Sequence, residues 1–247
     1  MTPDEKRLLE EKYGGKRTAE YEQDRARLFR GEPLGYVIGW QPFLGLKIYL
    51  DSRPLIPRPE TEWWTDQLLS HVGHVGRVSY MGFLDLCAGS GAIGCFALAK
   101  LRGAEVYFGE IDPSHKATIV KNIRENGLEE SRAHVRIGDL FEPFRGMKFD
   151  LIAANPPYVP ADRTLPASVA DYEPARALFA GGDGLDSIRR IAAELPEHLA
   201  EGGVAWIECD AAHASDARAL FIARGLLAKI RTDQYGKPRI IAISPMR

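Results

Sequence analysis

Two short stretches carry residue types that could do chemistry. The first is DLCAGSGAIG, Asp85 to Gly94, in which Gly89, Gly91 and Gly94 form a literal G-x-G-x-x-G. Glycines at that spacing let a backbone turn tightly and approach a ligand closely. Glu110 stands nineteen positions after Gly91, at the end of the apolar run AEVYFGE, where a carboxylate can accept both hydroxyls of a ribose. The second stretch is FDLIAANPPYVP, Phe149 to Pro160. Its prolines cannot donate to a sheet ladder and they stop a helix. A hydrophobic strand therefore runs into a stiff corner. Pro156 biases Asn155 to an extended conformation, and Pro157 fixes the φ angle that follows. The path aims the Asn155 carboxamide and the neighbouring carbonyls, with the Tyr158 ring beside them.

Such a corner suits a planar nitrogen whose lone pair is delocalised, as in a side-chain amide or the exocyclic amine of a base. To attack a methyl group on a sulfonium, that nitrogen must be held in line and pushed toward pyramidal geometry. Two fixed acceptors for its two N–H groups do this: the Asn155 side-chain oxygen and a backbone carbonyl such as that of Pro156. An aromatic face beneath the group, Tyr158, excludes water. Positioning of this kind supplies about 7–11 kcal/mol in favourable intramolecular cases, and preorganised dipoles add to it. Structural readings stand beside these. The glycines could only make a turn, Glu110 and Asp112 could only cap the next helix, and Asn-Pro turns are common. The glycine pattern admits NAD as well as S-adenosylmethionine, and no Lys-Ser/Thr pair follows it to mark a phosphate loop.

The elements that must position these groups alternate from residue 81 onward. MGFLDLC reads as a strand, CFALAKL as a helix and AEVYFGE as a second strand. DPSHKATIVKNIRENG is a helix, with Asp112 as N-cap, Pro113 at its first position and Gly127 where the chain turns out. AHVRI and KFDLIAA are further strands. A long connection from Pro160 to Gly184 precedes a helix carrying Ile188, Ile191, Ala192 and Leu195. The strand GGVAWIEC, a helix ending near Gly225 and the strands LLAKIRT and KPRIIAIS close the chain. Alternation of this kind predicts an α/β fold with a mostly parallel sheet covered on both faces. The last two strands, with no helix between them, predict an antiparallel edge hairpin.

Upstream, residues 1–30 form a short helical segment broken at Gly14-Gly15, too small for a core of its own. Residues 31–60 hold a β-hairpin over 35–50 and a proline-rich linker. A helix begins near Thr61, with Trp64, Leu68 and Val72 on one apolar stripe.

A net charge of −2 gives no general pull toward nucleic acid or anionic membrane. No run of about twenty apolar residues is present to span a bilayer, and the charged N-terminus lacks a signal-peptide core. Three cysteines without a CxxC pair fit a reducing cytosol. His71 and His74 are the closest histidine pair, with no acid or thiol to complete a metal site. We therefore expect a cytoplasmic monomer without a metal.

Taken together, DLCAGSGAIG and NPPY resemble amino-methyltransferases that use S-adenosylmethionine. The segment GEPLGYVIGWQPFLGLKIYLDSRPLIPRPETE, Gly31 to Glu62, with GDLFEP and YEPARALFAGGDGLDSIRRI, is similar to HemK-type peptide chain release factor N5-glutamine methyltransferases. The resemblance covers Gly31 to Ser244. It implies a Rossmann-like seven-stranded methyltransferase sheet, with the catalytic domain over 61–247. It implies transfer of a methyl group from S-adenosylmethionine to the glutamine of a Gly-Gly-Gln loop in a translation release factor, with S-adenosylhomocysteine as product. By that resemblance Asp85, Cys87, Ala88, Gly89, Ser90 and Gly91 wrap the cofactor and Glu110 binds its ribose. Asp139 and Leu140 lie near the adenine. Asn155, Pro156, Pro157 and Tyr158 hold the glutamine amide, and Arg58 and Glu60 border the site, with a structural salt bridge as the alternative for that pair.

Three features depart from the family pattern. About thirty residues precede Gly31 where a longer helical bundle is usual. Cys87 replaces a glycine of the cofactor loop, and IECDAAHA and DQYGKPRI are loose versions of late motifs. The rival readings are an N6-adenine nucleic-acid methyltransferase acting on a flipped base, a non-enzymatic module that binds a release factor or ribosome, and an NAD-dependent oxidoreductase.

Overall fold

The computed structural model describes residues 1–73 and 82–246. The side chains of His71, Val72 and His74 lie outside the described residues. In chain order the elements are α1 (Pro3–Glu11), α2 (Ala19–Phe29), α3 (Leu34–Ile38), β1 (Trp40–Phe43), β2 (Leu46–Tyr49), α4 (Pro59–Gly73), β3 (Gly82–Leu86), α5 (Ala92–Lys100), β4 (Glu105–Glu110), α6 (His115–Glu125), β5 (Ala133–Ile137), β6 (Phe149–Ala154), α7 (Ala167–Ala170), α8 (Ala175–Leu178), α9 (Asp186–His198), β7 (Leu199–Glu208), α10 (Ala214–Ile222), β8 (Leu226–Thr232) and β9 (Pro238–Pro245).

Seven strands form one sheet in the order β5-β4-β3-β6-β7-β9-β8. β5 through β7 are parallel, and β9 runs antiparallel between β7 and β8. Successive side chains of a strand point to opposite faces, and the sheet fills two cores accordingly. Leu151 and Ala153 of β6 pack with Trp64, Phe83, Phe108 and Ile119 on one face. Ile152 and Ala154 pack with Ile188, Ile191, Leu195 and Phe221 on the other. The anticipated stripe of α9 is the buried side of that helix.

Register puts the strand ends in a row. Leu86 pairs with Gly109 and with Ala154, and Ala154 pairs with Ile207. Cys87, Glu110, Asn155 and Glu208 therefore end or follow neighbouring strands at one edge. The chain reverses its direction of travel across the sheet between β3 and β6, and open α/β sheets bind ligands outside the carboxyl ends of strands at such a switch.

Two sequence expectations need correction. Residues 34–38 are a single helical turn, not strand: Tyr36 and Val37 donate to the Pro33 carbonyl, and Gly39 closes the turn at φ 98°. The hairpin proper is β1–β2, joined at Leu44-Gly45 with φ of 48° and 83°, the two positive angles a right-twisted two-residue turn requires. The regular helix after β4 starts at His115 rather than Pro113. Asp112 instead closes a turn ahead of it, its Oδ1 accepting from Ser114 N at 2.9 Å. At the N-terminus, Leu8, Tyr21, Val37 and Ile38 form a small buried cluster of their own. Glu32 ties this region to the linker. The guanidiniums of Arg27 and Arg53 bind it and hold its carboxyl down to about 2.

Gly94 shows why the third glycine of the motif is a packing requirement. A Cβ there would lie 2.2 Å from the ring of Phe108, which is itself fully buried in β4. The glycine lets α5 seat against the sheet. Gly94→Ala is expected to destabilise the fold by about 1–3 kcal/mol, the usual cost of overpacking, read as a lower urea midpoint at unchanged m-value.

Candidate active site

Two cavities open at the strand ends and share a wall. The first, of about 350 Å³, is lined by Cys87, Gly89, Glu110, Asp112, His115, Asp139, Leu140, Asn155 and Pro157, with Arg176, Phe179 and Arg190 from the long connection and α9. The second, of about 430 Å³, is lined by Arg58, Glu60, Asn155, Tyr158, Arg163, Glu208, Asp210 and Arg239 among others. Leu55, Asn155 and Ala177 line both.

On the first side, Gly89 and Gly91 take φ of 55° and 77°, left-handed angles that cost a glycine nothing. The Gly89 amide donates to Glu110 Oε2 at 2.7 Å, and Asp112 N donates to Glu110 Oε1 at 2.8 Å. The buried carboxylate is thereby held at the cavity wall, and each oxygen retains a lone pair for a further donor. Asp139 is paired with Arg190 at 2.8 Å. Cys87 sits at φ 63°; burial, then Glu110 and Asp85, push its thiol up, so it stands as a neutral wall group.

The anticipated residues of the loop separate here. Cys87 and Gly89 reach the cavity, whereas Asp85, Ala88, Ser90 and Gly91 do not line it. Asp85 is fully buried behind the turn, where its Oδ2 accepts from Gly94 N at 2.8 Å and its Oδ1 has no partner. Burial raises its pKa. Ser90 is buried, with its carbonyl accepting from Asn122 Nδ2. Their place is to shape the turn.

The proline corner is pinned from both sides. Val159 N donates to Leu178 O and Ala180 N donates to Val159 O, each at 2.9 Å. Pro157 lines the first cavity and Tyr158 the second, while Pro156 lines neither; its carbonyl accepts no hydrogen bond among the described residues. Asn155 Nδ2 donates to Thr61 Oγ1 at 3.1 Å, which leaves the carboxamide oxygen as its uncommitted end.

The lead-in PRPETE resolves into three separate contacts and one cavity-lining residue. Arg58 and Glu60 do not pair with each other. Arg58 binds Glu173 at 2.6 Å, and that buried carboxylate also accepts from Ile56 N. Glu60 lines the second cavity. Glu62 accepts from Leu44 N at 2.6 Å, fixing the hairpin turn. Thr61 donates to Glu208 Oε2 at 2.7 Å.

Sequence reasoning missed Glu208. It is 1% exposed and accepts from Thr61 and Trp64 Nε1 on one oxygen, both at 2.7 Å, and from Tyr158 OH on the other at 3.0 Å. Burial raises its pKa, and the three donors and Arg239 oppose that rise. Burial, then Glu208, also keeps the Tyr158 phenol protonated. The position of WIEC at the end of a strand neighbouring the corner was the one signal available. Among the described residues no three His, Cys, Asp or Glu side chains gather as a metal site.

The first cavity fits S-adenosylmethionine. A side chain at Gly89 would meet nothing nearer than Pro54 Cβ at 3.9 Å, so that backbone lies open. Three carboxylates, Glu110, Asp112 and Asp139, outnumber the guanidiniums of Arg176 and Arg190, which suits a cationic ligand. Solved structures share the fold: a methyltransferase from Pyrococcus furiosus aligns over 90% of this chain and 97% of its own at TM-score 0.59 and 16% identity. The methyltransferase small domain family matches residues 65–172. The fold is thus that of the S-adenosylmethionine-dependent methyltransferases.

The chain's particular relatives are narrower. The release factor glutamine methyltransferase of Geobacter sulfurreducens is 37% identical over 202 residues, covering 81% of this chain and 68% of that one. That of Agrobacterium fabrum is 35% identical over 214 residues, covering 85% and 73%. The chain belongs to the release factor glutamine methyltransferase family.

Glu110→Gln leaves one oxygen where two backbone N–H groups now bind. S-adenosylmethionine affinity is expected to fall about tenfold, the cost of one charge-assisted hydrogen bond, by isothermal titration. An unchanged affinity would remove Glu110 from the cofactor site.

Proposed function

We propose that this protein transfers a methyl group from S-adenosylmethionine to the side-chain N5 of a glutamine in the Gly-Gly-Gln loop of a translation release factor. The observation that carries this reading is Asn155. It stands on the wall between the two cavities, with its nitrogen taken by Thr61 and its oxygen left to accept. The family relationship supports the substrate.

The cofactor, when bound in the first cavity, supplies an electrophilic methyl on a sulfonium. The residues of this chain do the rest by placement. Glu110 receives the ribose hydroxyls, Asp139 and Leu140 border the adenine, and the turn wraps the cofactor through Cys87 and Gly89, with Asp85, Ala88, Ser90 and Gly91 shaping it from behind. At the second cavity the Asn155 oxygen accepts one amide N–H; the second acceptor is the Pro156 carbonyl, which has no hydrogen-bond partner of its own among the described residues but lies outside the cavity lining, so the glutamine amide must reach past the wall to it. Both lone pairs bias the amide nitrogen toward pyramidal geometry. The Tyr158 ring, anchored through its hydroxyl, covers the planar amide and excludes water. No strong base is needed beforehand, since the nitrogen becomes acidic only as the new bond forms; its proton then leaves to solvent past the acceptors. Arg58 and Glu60 border the mouth. We assign 1–30 to a short helical N-terminal segment, 31–60 to the β-hairpin and linker, and 61–247 to the methyltransferase domain, acting as a cytoplasmic monomer.

Incubation with labelled S-adenosylmethionine and, separately, release factor, its loop Gln→Ala variant and DNA tests this. Label is expected on wild-type release factor alone. Label on DNA would make the enzyme an adenine methyltransferase, and cofactor binding without any transfer would make it a binding module. Asn155→Ala is expected to lower the transfer rate about 100- to 1000-fold, as for other preorganised transition-state partners, while cofactor affinity stays within severalfold.

A further inference from the structure

Glu208 is a buried carboxylate that the reaction does not use directly, yet it joins three elements. Its partners come from the start of α4 and from the corner, and it ends β7. The chemistry of those partners gives the network a direction. The indole N–H of Trp64 can only donate, so the Glu208 oxygen beside it must accept. That same oxygen takes the Thr61 hydroxyl, 2.7 Å away. A hydroxyl carries one proton; once it is given to Glu208, Thr61 Oγ1 can only accept from Asn155. Asn155 must therefore turn its NH2 toward Thr61 and its oxygen away, as observed at 3.1 Å.

We propose that Glu208 is a positioning residue for methyl transfer: through the relay Trp64–Glu208–Thr61 it dictates which end of the Asn155 carboxamide faces the substrate. The role rests on the glutamine reading above. An amide oxygen attracts the two N–H groups of an incoming glutamine; an amide NH2 in its place would repel them. Without an acceptor at 208, the Thr61 proton is free to go to the Asn155 oxygen, and the carboxamide turns over. Thr61 and Trp64 lie on α4 upstream of the cofactor turn, so the lead-in PRPETE acts on the corner from a distance in sequence.

Two substitutions at Glu208 separate orientation from charge. Glu208→Leu removes the acceptor. It is expected to lower kcat about 100-fold, as for a lost preorganised partner, with cofactor affinity and substrate KM within about threefold. Glu208→Gln keeps an acceptor, because Trp64 forces the amide oxygen to its own side and the Gln NH2 faces the Tyr158 hydroxyl. It is expected to retain the rate within about fivefold, the worth of a weakened hydrogen bond. Equal losses in both variants would overturn the proposal in favour of a charge effect, and an unchanged kcat in Glu208→Leu would overturn it outright. If Glu208→Leu does not fold, Thr61→Val, near-isosteric and without the relay hydroxyl, takes its place with the same expected loss. Neutron diffraction on the deuterated wild-type protein adds a test independent of activity: ND2 of Asn155 is expected toward Thr61, and its oxygen there would sink the idea. Should wild-type protein leave release factor unlabelled, the proposed substrate is wrong, and the neutron map alone then decides the relay.

Discussion

A carboxylate without access to water is among the costliest groups a fold can carry, and breaking up its partners costs several kcal/mol. Glu208 is such a group, and much of the site follows from satisfying it. Its oxygens receive Thr61, Trp64 and Tyr158, which lie 147, 144 and 50 positions away in sequence. For all three to arrive, the helix after the linker must start beside the end of β7, and the chain leaving β6 must bend back across it. The prolines of the corner make that bend rigid, and the isolated bridge between Val159 and Phe179 fastens its far side. The polar network and the apolar sheet therefore specify the same arrangement, the agreement between levels that marks a single native state.

The sheet supplies the second constraint. Because β6 lies between β3 and β7, the residue after β6 is the strand-end position among the described residues whose side chain lines both cavities, with Leu55 of the linker and Ala177 of α8 beside it. A residue one strand over would reach only one of them. Methyl transfer needs donor and acceptor to meet across a short gap, so the position of Asn155 in the strand order matters as much as its chemical type.

Much of this was legible in sequence where the signal is local. The glycine turn after a strand, the acid closing the next strand and the Asn-Pro-Pro-Tyr corner each depend on a few adjacent residues, and Gly89, Glu110, Asn155 and Tyr158 each line a cavity at the strand ends. One reading failed for a local reason, and two stopped short of a distant partner. Leu34–Ile38 has strand-like composition, yet Pro33 and Gly39 close it into a turn of helix. Trp64 falls on an apolar stripe and is fully buried, but its indole N–H serves a carboxylate 144 positions away. Arg58 stands two residues from Glu60 and pairs with Glu173, 115 positions away. Periodicity reports the face a residue takes; it does not report which distant polar group that face will meet.

The cofactor side and the substrate side are also built from different materials. Around the first cavity, backbone conformation does the shaping: Cys87 and Leu140 sit at φ of 63° and 48°, angles an L-residue with a side chain adopts at a cost of about 1–2 kcal/mol. Around the second, side chains do it, through Arg58–Glu173, Arg163–Asp210 and the Glu208 network. Local strain of the first kind persists only where surrounding packing over-determines it, and here the buried Asp85 and the close seat of α5 on Phe108 provide that packing. A turn held from behind by the core tolerates a change such as glycine to Cys87 without disturbing the corner. The corner, held by side-chain hydrogen bonds from α4 and β7, has no such independence: loss of the acceptor in either element reaches Asn155.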